Sequence, residues 1–180
     1  MPAARAQDLQ LLFDGLFRET LNTVLVRGEG EPIYLPASAT GGCNEIHFAH
    51  GFVNSALHEI SHWCIAGEAR RQLIDYGYWY EPDGRSAQRQ AEFERVEVKP
   101  QALEWILAEA CGVKFFISFD NLDGQGAAGE GAFKVAVHEQ ARRYLQEGLP
   151  PRAQQLLDCF LDTYIGRENF GLSLFALDKL

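Results

Sequence analysis

Two imidazoles and a carboxylate stand at a metal-binding spacing in His58-Glu59-Ile60-Ser61-His62. On an α-helix, residues four apart lie one turn above each other, so both rings project from one face and can share one ion. Glu59 falls one position round the helix, where its carboxylate can reach a metal-bound water rather than the ion itself. The chemistry within reach of such a trio is metal-assisted activation of water or of oxygen. The plainer reading is a set of polar residues on a helix surface. The flanks argue against it: Val53, Leu57, Ile60 and Cys64 recur at helical spacing as an apolar stripe that would bury the helix, and Asn54 or Ser55 is placed to cap its start.

A third ligand is required, and Glu68 is the first candidate. On a continuing helix it would lie about 15 Å along the axis from His58, too far to share the ion. Gly67, directly before it, can adopt the left-handed conformation that ends a helix and swings the next side chain back. The resulting pattern H-E-x-x-H-x-x-x-x-G-E resembles metzincin-like metal sites, with a carboxylate where those have a histidine. Glu92, Glu94 and Glu97 are rival carboxylates that could fold back from a later segment, as in zincins with a distant glutamate. Two imidazoles and one carboxylate with open positions suit non-haem Fe(II) oxygenases. The same set serves zinc in thermolysin-like hydrolases, with Glu59 as general base. The ligands alone do not choose between oxygen and water chemistry.

The elements around this motif predict an α+β fold in one domain spanning 1–180, with several helices around a small sheet and a zincin-like arrangement at the metal helix. Leu9, Leu12, Leu16, Leu21 and Val24 suggest an N-terminal amphipathic helix, broken at Gly28 to Glu31. Ile33-Tyr34-Leu35 and Ile46-His47-Phe48 read as short strands, the second leading into the metal helix. His47 and His50, just upstream, read as structural rather than substrate-binding histidines. Tyr76-Gly77-Tyr78-Trp79-Tyr80 is rich in strand-forming aromatics and runs into the turn signal Glu81-Pro82-Asp83-Gly84; its rings suit core packing or the reception of a cation. Pro100 is expected to open a helix whose buried face is Leu103, Ile106, Leu107 and Ala110, interrupted at Gly112. Helices over Ala132 to Glu147 and from Pro150-Pro151 through Tyr164 follow.

Gly124-Gln125-Gly126-Ala127-Ala128-Gly129 fits the formula G-x-G-x-x-G after the apolar run Phe115 to Phe119. A dinucleotide fingerprint also needs a tight strand-to-helix turn and a following βαβ strand, and neither is present here. The segment reads as a glycine-rich loop.

A net charge of −9 argues against nonspecific binding to nucleic acid, which depends on basic patches, and suits a cationic substrate group. No stretch reaches the length of a membrane span, and Met1 to Gln10 lacks the apolar core of a signal peptide. Cys43, Cys64, Cys111 and Cys159 form no C-x-x-C pair, so they read as reduced thiols of a cytoplasmic protein.

Longer strings carry more information than the five-residue motif. His47-Phe48-Ala49-His50-Gly51, the His58 to Arg71 segment with Ala66-Gly67-Glu68, Asp75 through Tyr80 with Pro82-Asp83-Gly84-Arg85, and Phe93 through Trp105 together resemble the bacterial elongation factor P hydroxylases over most of the chain. The resemblance implies an oxygenase that hydroxylates the modified lysine of elongation factor P after a β-lysyl group has been attached to it. It implies non-haem iron, Fe(II), held by His58, His62 and Glu68, with O₂ as cosubstrate and Glu59 as the group that orients water or shuttles protons. The electron donor is not visible. The absence of any H-x-D or H-x-E pair weighs against the usual 2-oxoglutarate oxygenase motif.

Overall fold

The computed structural model describes residues 3–77, 86–119 and 130–180. Helix α1 (Ala6–Leu21) buries Leu9, Phe13 and Phe17 and ends where Asn22 takes a left-handed conformation, φ 47°. That cap stops the helix before Val24, which lies in strand β1 (Thr23–Gly28) rather than in the helix the apolar spacing suggested. The β-branched Thr23, Val24 and Val26 favour the extended chain once the helix has been stopped.

Strands β2 (Ile33–Leu35) and β3 (Asn44–Ala49) fall where the alternation places them. A short helix, α2 (Ala37–Thr40), connects them. The sheet order is β1-β3-β2, with β1 parallel and β2 antiparallel to the central β3. In this register Leu25 and Tyr34 both stand opposite Ile46, so one face of the sheet presents buried apolar side chains to the helices.

Helix α3 (Val53–Ile65) carries the two imidazoles. Leu57, Ile60 and Cys64 are buried as the stripe requires, and Trp63 is buried as well, edge-on to Phe13 and Phe17 of α1 at centroid separations of 5.2 and 4.9 Å. The expected cap differs: Phe52 is the N-cap residue, Ser55 Oγ instead accepts the Ala49 N–H, and Asn54 donates to the Lys114 carbonyl. The other end of α3 is tied down by Arg152, whose Nη2 donates to the carbonyls of Trp63, Cys64 and Ala66 at 2.8, 3.0 and 2.7 Å. Its guanidinium also lies over the Trp63 ring, 4.7 Å from the centroid. A cation at a helix C-terminus meets carbonyls that have no partner within the helix. Arg152→Ala is therefore expected to lower the unfolding free energy by about 2–3 kcal/mol, read as a shift in the urea midpoint.

Pro100 does not open a helix. Helix α4 (Ala87–Ala110) runs through it, capped at its start by the Ser86 hydroxyl, which accepts the Arg89 N–H. The bond that proline forgoes is the one to the carbonyl of Val96, a solvent-exposed residue, so the helix continues on the strength of its packing against α3 and α5. Gly112, φ 67°, follows the helix end as expected. Helices α5 (Glu130–Glu147) and α6 (Pro151–Thr163) match their predicted spans closely, with Tyr164 as the C-cap residue of α6. A tail of short 3-10 turns follows, seating Phe175 against Trp105 at 5.0 Å.

Among the described residues, six helices surround a three-stranded sheet and share one hydrophobic core, an α+β arrangement. No helix among them is long and apolar enough to cross a membrane. Tyr76 and Gly77 belong to a 3-10 turn (Ile74–Gly77) rather than to a strand, while the rest of the aromatic string and the turn at Glu81 to Gly84 lie outside the described residues. The glycine-rich loop lies outside them too. Phe115 to Phe119, which precedes it, belongs to no strand; the Gln101 carboxamide accepts the Ser118 N–H and donates to the Ser118 carbonyl instead. All four cysteines are free thiols.

Candidate metal centre

The helical spacing does bring His58 and His62 together: their Nε2 atoms are 3.1 Å apart. The carboxylate that joins them comes from α4. His62 Nε2 lies 3.2 Å from Glu97 Oε1, and His58 Nε2 lies 3.7 Å from Glu97 Oε2. Ligand atoms of these three side chains all fall within 4.8 Å of one another, the one such group among the described residues.

Glu68 is not part of this group. It is exposed in the turn beyond α3, and Gly67 does not take the left-handed conformation that would have swung it back. The chain leaves α3 through Ala66 in an extended conformation, φ −57° and ψ 124°, held by Arg71 and Arg152 on the Ala66 carbonyl. Of the three rival carboxylates, Glu92 is exposed and Glu94 accepts from Gln90, so among them only Glu97 reaches the imidazoles. Glu97 lies with Gln101 and Glu104 on the face of α4 turned toward α3. Glu104 Oε2 stands 2.9 Å from the other nitrogen of His58, Nδ1.

The charges are strongly coupled. Burial pulls the His58 imidazolium down, but the hydrogen bond to Glu104 and the charges of Glu104, Glu97 and Glu59 outweigh it and hold the ring up at about 10. Burial pushes Glu97 up, but the charge and hydrogen bond of His62 and the charge of His58 prevail and take it down to about 2. Glu59 and Glu104 are both raised, by burial first, against the opposing pull of the histidines. Asp75, in the 3-10 turn beyond α3, is raised by burial and feels His62, and it holds a left-handed φ of 53°. An Asp in that conformation is uncommon outside turns and functional sites. Asp75 and Glu104 were not candidates at the level of sequence. The available signal for Glu104 was a carboxylate set inside the apolar run Ala102-Leu103-Glu104-Trp105-Ile106-Leu107.

The arrangement fits a cation. Glu97 Oε2 is buried with no hydrogen-bond partner, although Glu97 as a whole is 6% exposed, and a buried carboxylate oxygen without a partner is costly. The two Nε2 atoms face each other at 3.1 Å, so either a proton or a metal ion lies between their lone pairs. Metal–nitrogen bonds of about 2.1 Å place neighbouring donor atoms about 3.0–3.4 Å apart, the range in which these nitrogens lie. The set of two nitrogens and one oxygen is compatible with Fe(II) and with Zn(II). His47, paired with Glu45 at 2.7 Å, and His50, beside Phe52 with a φ of 48°, stand outside the group.

Comparison with known proteins agrees with the long strings around these residues. The chain matches the elongation factor P hydroxylase family over residues 12–174, a span that includes His58, Glu59, His62, Glu97 and Glu104. It is 51% identical over 171 residues to the elongation factor P lysine hydroxylase of Haemophilus influenzae, covering 95% of this chain and 96% of that protein. With helix α3, helix α4 and nearly the whole chain inside the matched span, this protein belongs to the elongation factor P hydroxylase family.

Proposed function

We propose that the protein hydroxylates the β-lysylated lysine of elongation factor P at a non-haem iron centre held by His58, His62 and Glu97. The observation that supports this most is the convergence of two imidazoles and a buried carboxylate, one of whose oxygens has no hydrogen-bond partner, inside the span matched by the family. A glutamate arriving from a later helix onto an H-E-x-x-H pair is the zincin-like form with a distant third ligand, so the hydroxylase reading takes a metallopeptidase-like frame and gives it oxygen chemistry. The family does not favour the hydrolase alternative that the motif alone opens.

When bound, Fe(II) supplies the activation of O₂ that insertion of oxygen into an aliphatic C–H bond requires. The protein's own residues do the rest. Glu59, raised by burial and left outside the ligand group, holds and passes on a proton at the edge of the site. Glu59 and Asp75 add carboxylates around the imidazoles, and the chain's net charge of −9 extends the negative field outward. Such a field draws a cationic lysine side chain toward the site. A single flexible side chain offers little binding surface, so the body of elongation factor P must contribute contacts as well.

The test is mass spectrometry of elongation factor P after incubation with the protein, Fe(II), O₂ and a reductant. The modified lysine peptide is expected to gain one oxygen atom when β-lysylated and far less when unmodified. No gain under these conditions, together with zinc-dependent peptide cleavage, would overturn the hydroxylase reading.

A further inference from the structure

We infer that Glu104 is a positioning residue that fixes the tautomer and orientation of His58, so that Nε2 rather than Nδ1 faces His62 and Glu97. The inference rests on the metal-centre reading above and deepens it. Glu104 Oε2 is 2.9 Å from His58 Nδ1, and the carboxylate is 6% exposed, two helical turns beyond Glu97 on α4. That contact engages Nδ1, so Nε2 is the ring nitrogen left to face an ion. With Glu97 near one ring nitrogen and Glu104 on the other, a single face of α4 grips both ends of the imidazole.

Placing a carboxylate among Leu103, Trp105, Ile106 and Leu107, all buried, costs free energy that a packing role does not explain. A leucine would fill that position without the cost. What the carboxylate adds is a fixed imidazole of raised basicity, the role that partners of metal-bound histidines play elsewhere.

The test uses Co(II) as probe on the full chain, with affinity read from its visible absorption and melting temperature measured in parallel without metal. Glu104→Ala is expected to weaken Co(II) binding about 10–100-fold. Glu104→Gln, whose amide oxygen still accepts from Nδ1–H, is expected to restore most of that loss. A purely structural role would lower the melting temperature of both variants while leaving Co(II) affinity unchanged, and that result overturns the inference. Should Glu104→Ala fail to fold, nitrogen-15 NMR of the Zn(II)-loaded wild type decides: Nδ1 of His58 protonated and Nε2 shifted by the ion supports it, and ligation through Nδ1 overturns it. Wild-type protein that takes up neither ion would bring down the metal-centre reading and this inference together, whereas wild type and Glu104→Ala binding equally well would bring down this inference alone.

Discussion

Glu97→Ala is expected to strip the protein of metal as completely as His58→Ala or His62→Ala, while Glu68→Ala keeps full occupancy. The grounds are positional: Glu97 closes the group of ligand atoms from α4, whereas Glu68 is exposed beyond the end of α3. Metal content per chain after anaerobic loading and desalting checks both halves. A metal-free Glu68→Ala beside a loaded Glu97→Ala would move the carboxylate role back to the turn. The wild type should also bind more tightly as pH rises. His58 is held at about 10 by Glu104 and its neighbouring carboxylates, so near neutrality the ring carries a proton that an incoming cation must expel. Each displaced proton strengthens affinity about tenfold per pH unit, a slope measurable between about pH 6 and pH 8.

Glu59→Gln should behave in the opposite way, retaining metal and losing turnover. Glu59 lies beside the histidines without joining the ligand group, and burial raises its carboxyl so that it can exchange a proton there. Removing a positioned proton-transfer group typically costs about 10²–10⁴-fold in rate. Hydroxylation of elongation factor P by metal-replete Glu59→Gln, measured against the metal content of the same sample, separates this from ligand loss. Metal loss equal to that of His58→Ala would show that Glu59 helps hold the ion.

Periodicity made α3 legible, because Leu57, Ile60 and Cys64 mark its buried face and the His58–His62 interval matches its turn. Strands β2 and β3 were legible for the same kind of reason. Strand β1 was not, since the left-handed turn at Asn22 that ends α1 has no apolar signature and Val24 continues the helical spacing beyond it. Glu97, one of three rivals to Glu68 in the sequence, was placed behind it through one residue. Taking Pro100 as a helix start hid the fact that Glu97, Gln101 and Glu104 recur on one helical face, and it left Gly67 to supply a turn that the backbone does not make. Tertiary packing carried α4 through a proline that propensity would have used to begin it.

The proline that α4 tolerates also divides it. Before Pro100 the helix is mostly exposed, with Gln90 and Glu97 buried; from Pro100 onward nearly every residue lies in the core. The two halves therefore differ in how much burial holds them, and opening the outer one costs less than opening the inner. Glu97 rides on the first and Glu104 on the second. Fraying of the outer half would release one carboxylate from the imidazoles while leaving His58 moored, so the centre could disassemble and reassemble from a single side without passing through an unfolded chain.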